Sequence, residues 1–98
     1  MGKVDFQAPD DAILVAAGIE AVSEGDFSAT SNATKLSFKT AASEAAAEKM
    51  SLSSGGNLTV SGNVIAVDLD ISGDIDIDGT TNLDAVDIDG AVQIDNTV

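Results

Sequence analysis

From Gly56 the chain repeats with a period of 17 residues: GNLTVSGNVIAVDLDIS, then GDIDIDGTTNLDAVDID from Gly73, then GAVQIDNTV from Gly90. A fixed period of this kind marks a stacked or wound architecture, so it limits the fold more than any other feature of the chain. Gly56, Gly73 and Gly90 share a column, as do Leu58, Ile75 and Val92, and Val60, Ile77 and Ile94. Leu69 and Ile71 recur as Val86 and Ile88, while Gly62 recurs as Gly79 and then as Asn96. Within a row apolar and polar residues alternate, the pattern of half-buried strands with Leu, Ile and Val on one face. The repeat core is therefore Leu58, Val60, Leu69, Ile71, Ile75, Ile77, Val86, Ile88, Val92 and Ile94, and the turns fall at Gly56, Gly62, Gly73, Gly79 and Gly90. Each row is expected to form three strands of about five or six residues bent around a triangle. The middle strand is the least regular, reading NVIAV in the first row and TTNLD in the second.

Two architectures satisfy this pattern. In a single-chain β-helix each row is a coil stacked on the next. In an intertwined trimer, three chains supply the strands of every layer and bury the same columns along a threefold axis. The rows offer only about a dozen inward side chains, none of them aromatic, and cores this small need disulfides, metals or oligomerisation. With no cysteine in the chain, oligomerisation is the remedy left. The expected fold class is all-β, with an intertwined trimeric β-helix or β-prism favoured over a single-chain β-helix. The rows run into Val98 in mid-period without a capping repeat, so the expectation is a truncated piece of a longer fibrous protein.

Composition narrows the function classes. The chain has 98 residues, no His, Cys, Trp or Tyr, and a formal charge of −13 from 17 acidic residues against four lysines. Without His or Cys the usual general base, thiol nucleophile and transition-metal ligands are missing, so neither an enzyme nor a cofactor is expected. The lysines are Lys3, Lys35, Lys39 and Lys49, and residues 50–98 carry nine Asp with no basic residue. Such a surface repels phosphates and anionic lipid headgroups, which excludes nucleic acid and membrane as expected partners. AILVAAGI at 12–19 is too short to span a bilayer, and Asp10 and Asp11 stand where a signal peptide carries basic residues. The frequent, regularly placed Ile, Val and Leu argue against disorder.

The most suggestive ligand motif is DIDIDG. Asp74, Asp76, Asp78 and Gly79 match the first half of an EF-hand loop, but position 12 of that loop is Ala85 where a Glu is required. Ile75 and Ile77 also belong to the repeat core, so the three aspartates read as the outward face of a strand. The paired glycines of calcium-binding nonapeptide repeats are absent from the rows. Stacking of rows about 4.8 Å apart would place Asp70 over Asp87 and Asp78 over Asp95, ladders that salt or bound cations would relieve. Glu44 and Glu48 form no recognisable acid–base constellation. Gly55-Gly56 is not a phosphate loop, because no Lys-Ser/Thr follows it.

Upstream of the rows, VDF, ILVAAGIEAV and TKLSFKT read as β-like pieces, and SATSNAT at 28–34 as a turn-rich loop. AASEAAAEKM at 41–50 has strong helix propensity with Ser43 as an N-cap, yet its flanks suit a hairpin loop between LSF and KMSLSS. Propensity and context leave these two readings open.

The run ATKLSFKTAASEAAAEKMSLSSGGNLTVSGNV at 33–64 resembles a segment of bacteriophage tail fibres and related virion structural proteins. There an LxF strand leads through an Ala/Thr/Ser-rich loop to a KMxLxSxGNL strand and then to Gly-punctuated β-repeats. TTNLDAVDIDGAVQID is similar to the repeats of fibre proteins from aquatic phages, and the likeness covers about 26–98. One departure is that the family form carries Arg near the second strand, where this chain has Lys49. The resemblance implies a homotrimeric fibre or short appendage of a virion, acting in attachment. On this reading 1–25 is an amino-terminal docking segment for other virion proteins of tail or capsid. Residues 26–55 are a hairpin-like region with the Ala-rich loop or short helix, and 56–98 are the repeats. The alternatives are a polymerising β-helical scaffold similar to bactofilin and a capsid decoration protein. The host and its receptor are not legible in these residues.

Overall fold

Period-two alternation upstream of the rows becomes a single antiparallel sheet. The computed structural model describes residues 1–9 and 14–96; the expectations resting on Asp10, Asp11 and Val98 fall outside them. The strands are β1 (Lys3–Gln7), β2 (Val15–Ser23), β3 (Thr34–Thr40), β4 (Ala47–Leu52) and β5 (Leu58–Val60), in spatial order β1-β2-β3-β4-β5. All pairings are antiparallel, and no helix occurs among the described residues. The chain is thus all-β. It divides into two units, Met1–Ala66, which holds the sheet, and Val67–Val98.

Each connection has a local cause. Between β2 and β3, Glu24 N donates to Ala33 O, and Ser28 and Ser31 form a two-residue bridge. Between β4 and β5, Gly56 N donates to Ser53 O at 3.0 Å and Asn57 N donates to Ser53 Oγ at 3.1 Å. Gly56 has φ +86°, a left-handed conformation that costs any residue with a Cβ about 1–2 kcal/mol, and so glycine stands there.

The two readings of 41–50 resolve in favour of the loop. Residues 42–45 bend, and the Glu44 carboxylate accepts from Ala42 N and Ser43 N, both at 3.2 Å. Ala46 N then donates to Val15 O at 2.8 Å, and β4 starts at Ala47. Ten residues are too few for a helix to hold itself in water, whereas strand pairing with β3 satisfies the same backbone groups from Ala47 onward.

Register sorts the side chains into two unlike faces. One face carries the cross-strand rows Val4–Ile19–Phe38–Met50–Val60 and Ala21–Leu36–Leu52–Leu58, with Phe6 opposite Ala17. The other carries Lys3–Glu20–Ser37–Ser51–Thr59 and Asp5–Gly18–Lys39–Glu48. Two irregularities keep this sorting intact. Between Phe6 and Gln7 the register shifts opposite Ala16, and between Phe38 and Lys39 it shifts opposite Lys49. Each bulge absorbs one residue, without which every later side chain of that strand would change face.

Residues 63–95 run differently. They form no strand and no backbone-to-backbone hydrogen bond with one another. The chain bends at 61–62, 78–79 and 95–96, again at 67 and 84, and again at 72–73 and 89–90, each set spaced by 17 residues.

Candidate functional site

The charged face of the sheet is internally satisfied. Lys39 Nζ pairs with Glu20 at 2.6 Å, Lys35 with Glu48 at 3.1 Å and Lys3 with Asp5 at 3.2 Å. Ser37 lies between the first two pairs, is 1% exposed and donates its hydroxyl to Glu48. The Ser37 hydroxyl and the Lys35 ammonium hold the Glu48 carboxyl below its usual value, and hydrogen bonding to Lys39 does the same for Glu20. In return Glu20 raises Lys39. Glu24 reaches across 30 residues to accept from Ser54 N at 3.0 Å, which ties the β2–β3 loop to the β4–β5 turn; hydrogen bonds from the Ser54 hydroxyl and then from its amide hold the Glu24 carboxyl below its usual value. Lys49 differs from the other lysines. Carried on the β4 bulge, it donates to Thr40 O at 2.7 Å, and among the described residues it makes no ion pair.

The apolar face stands open among the described residues. Val4, Phe6, Ile19, Leu36, Leu52 and Leu58 are all exposed, and no apolar side chain among the described residues is buried. Among the described residues the one whose side chain is fully buried is Ser37, on the charged face. A sheet normally buries its apolar face against a second layer; the described residues of Met1–Ala66 form only the one layer. Register brings Leu58 and Val60, the first members of two repeat columns, onto this face opposite Leu52 and Met50.

The remaining repeat-core residues, Leu69, Ile71, Ile75, Ile77, Val86, Ile88, Val92 and Ile94, are exposed, as are Ile65 at 94% and Val67 at 98%. Of the turn glycines, Gly62, Gly73, Gly79 and Gly90 lie at or within the bends, and Gly56 closes the β4–β5 turn. Among the described residues no three carboxylates gather at one point. A hollow of about 180 Å³ lies at the end of the sheet, lined by Ala8, Leu14, Ala16, Ala41, Ala42, Ser43 and Glu44. Its single carboxylate is occupied by backbone amides of its own loop.

The sequence reading singled out the apolar columns of the rows, which are exposed in the single chain, and did not single out the apolar face of the sheet. Alternation in TKLSFKT and KMSLSS signals it; what joins them into one surface is the register of five strands. No family model, curated protein or solved structure matches the chain.

Proposed function

We propose that the chain is a structural component of a bacteriophage virion, a trimeric tail fibre or fibre-like appendage acting in attachment. The observation that carries the trimer is that residues 63–95 bend three times in every 17 residues yet make no backbone hydrogen bonds with one another. A single-chain β-helix would pair successive rows within the chain. Backbone amides and carbonyls that an assembly takes out of water need partners, and in an intertwined trimer the neighbouring chains supply them. The same arrangement turns the open columns headed by Leu58 and Val60 inward and the aspartates outward. Support for the virion comes from the fibre-like run at 33–64 and the rows that follow it.

The mechanism is geometric: an acidic stalk with an apolar core holds a binding end away from the particle. Docking to other virion proteins is assigned to residues 1–25. Because Lys3–Gln7 and Val15–Ser23 are β1 and β2 of the sheet, substitutions on their charged face test docking more cleanly than deletion.

Sedimentation equilibrium of the 98-residue chain is the test. One species of about 29 kDa, three times the 9.8 kDa chain, is expected. A monomer at all concentrations refutes the trimer, and filaments that lengthen with concentration favour the bactofilin-like scaffold. Peptide mass spectrometry of purified particles tests the virion: a chain made in infected cells but missing from particles overturns it, and one bound to the shell instead of the tail indicates a decoration protein.

A further inference from the structure

We infer that the apolar face of the five-stranded sheet packs against the same face of other copies of this chain. The inference deepens the fibre reading and shares with it the premise that copies associate; what it adds is the surface.

Three observations single out this occupant. First, charge: the apolar face bears Val4, Ile19, Phe38, Met50 and Val60 in one row and Leu36, Leu52 and Leu58 in the next, while Lys3, Asp5, Glu20, Lys35, Lys39 and Glu48 stand on the opposite face. Two copies with a formal charge of −13 each repel over most approaches and meet with least repulsion where neither presents a carboxylate. Second, area: five strands about 4.8 Å apart and about 17 Å long present on the order of 400 Å². That is the size of patch that marks an interaction surface, though short of the roughly 800 Å² per partner of a stable interface. Third, continuity: Leu58 and Val60 belong to this face and also begin the columns that continue in sequence at Ile75 and Ile77. The columns proposed to face inward in the trimer thus begin, in sequence, on this face.

Lys49 fits the same arrangement. Its ammonium is held by the Thr40 carbonyl on the strand that carries Phe38, which keeps the cation at the border of the face instead of over it.

The test uses thiol reactivity in the full chain, whose lack of cysteine makes a single introduced cysteine an unambiguous reporter. Ile19→Cys and Leu52→Cys sit on the apolar face and are exposed in the single chain; Thr59→Cys sits on the opposite face. At concentrations where sedimentation shows an oligomer, the first two are expected to react with a small maleimide at least tenfold more slowly than Thr59→Cys, and to recover on dilution to monomer. The unsubstituted protein gives an independent readout. Its two methionines are Met1 and Met50, and peroxide is expected to oxidise Met50 more slowly as concentration rises while Met1 is unaffected. An oligomer in which the apolar-face cysteines react as fast as Thr59→Cys overturns this inference and leaves the trimeric fibre standing. A dimer with the cysteines protected upholds the face and overturns the trimer. A monomer at every concentration overturns both.

Discussion

Gly18 is where the sheet is tightest, and its replacement tests the packing of β1 directly. A Cβ built on Gly18 would stand 2.8 Å from the carbonyl oxygen of Val4 and 3.0 Å from Asp5 Oδ1. The Asp5 carboxylate could swing away, although Lys3 holds it at 3.2 Å. The Val4 carbonyl is backbone of β1 and can move only with the strand. In an ordinary strand Gly→Ala stabilises by roughly 0.5–1 kcal/mol, because glycine loses more freedom on folding. Forcing a methyl into a filled space costs about 1–3 kcal/mol. The clash outweighs the gain, and Gly18→Ala is expected to destabilise by about 1 kcal/mol, which lowers the melting temperature by roughly 4–8 °C in a domain of this size. The loss should concentrate at β1, so that the amide of Ala21, which donates to Gly2 O, exchanges faster than amides shared by β3 and β4. Gly25→Ala, whose added Cβ meets nothing within 4 Å, serves as the control. Both variants are melted at one protein concentration, since an associating chain melts at a temperature that depends on it. A Gly18→Ala protein that melts at or above the wild-type temperature would refute the close approach of β1 to β2.

Four further outcomes are expected. Phe38→Asp puts an uncompensated charge in the middle row of the apolar face, and sedimentation should find monomer at concentrations where the wild type associates; an unchanged mass would count against burial of that face. Glu20, Glu24 and Glu48 are all held below their ordinary pKa, so their contribution is present at neutral pH and fades as pH falls below about 4.5. Thermal melts should accordingly show a smaller loss on acidification for Glu20→Gln than for wild type, and equal losses would show that the Lys39 pair does not matter. Lys39 is raised by Glu20; with its folded value above the unfolded one, that contribution is complete at neutral pH and fades only in strong alkali. The proposed stacking of Asp70 over Asp87 and Asp78 over Asp95 predicts that millimolar calcium or added salt raises the melting temperature. Melting that responds to neither would remove the ladder geometry.

An amphipathic single-layer sheet and a stretch, 63–95, without backbone hydrogen bonds of its own share one deficit. Each has strong backbone direction and clear facial sorting, and each lacks the apolar contact that ordinarily stabilises a fold. The ion pairs cannot make up the difference, because pairs open to water contribute little. In the proposed assembly, contact between copies is what would supply it.

Which elements form was largely written in the residues. Alternation in VDF, TKLSFKT and KMSLSS marked three of the strands, because period two is a property of the extended backbone itself. The bends of the rows recur with the same period of 17 residues as the columns. Tertiary pairing alone decided the rest. AASEAAAEKM had the propensity for a helix, and it became a bend and a strand because β3 offered its backbone a ladder that ten residues of helix could not match. No local pattern announced that Ala16 and Lys49 would be bulges, or that Glu24 would hold Ser54, as these depend on the register between strands far apart in sequence. The union of Val4, Ile19, Phe38, Met50 and Val60 into one uncovered row has the same origin: each residue was visibly apolar, but only the pairing of five strands made them a surface.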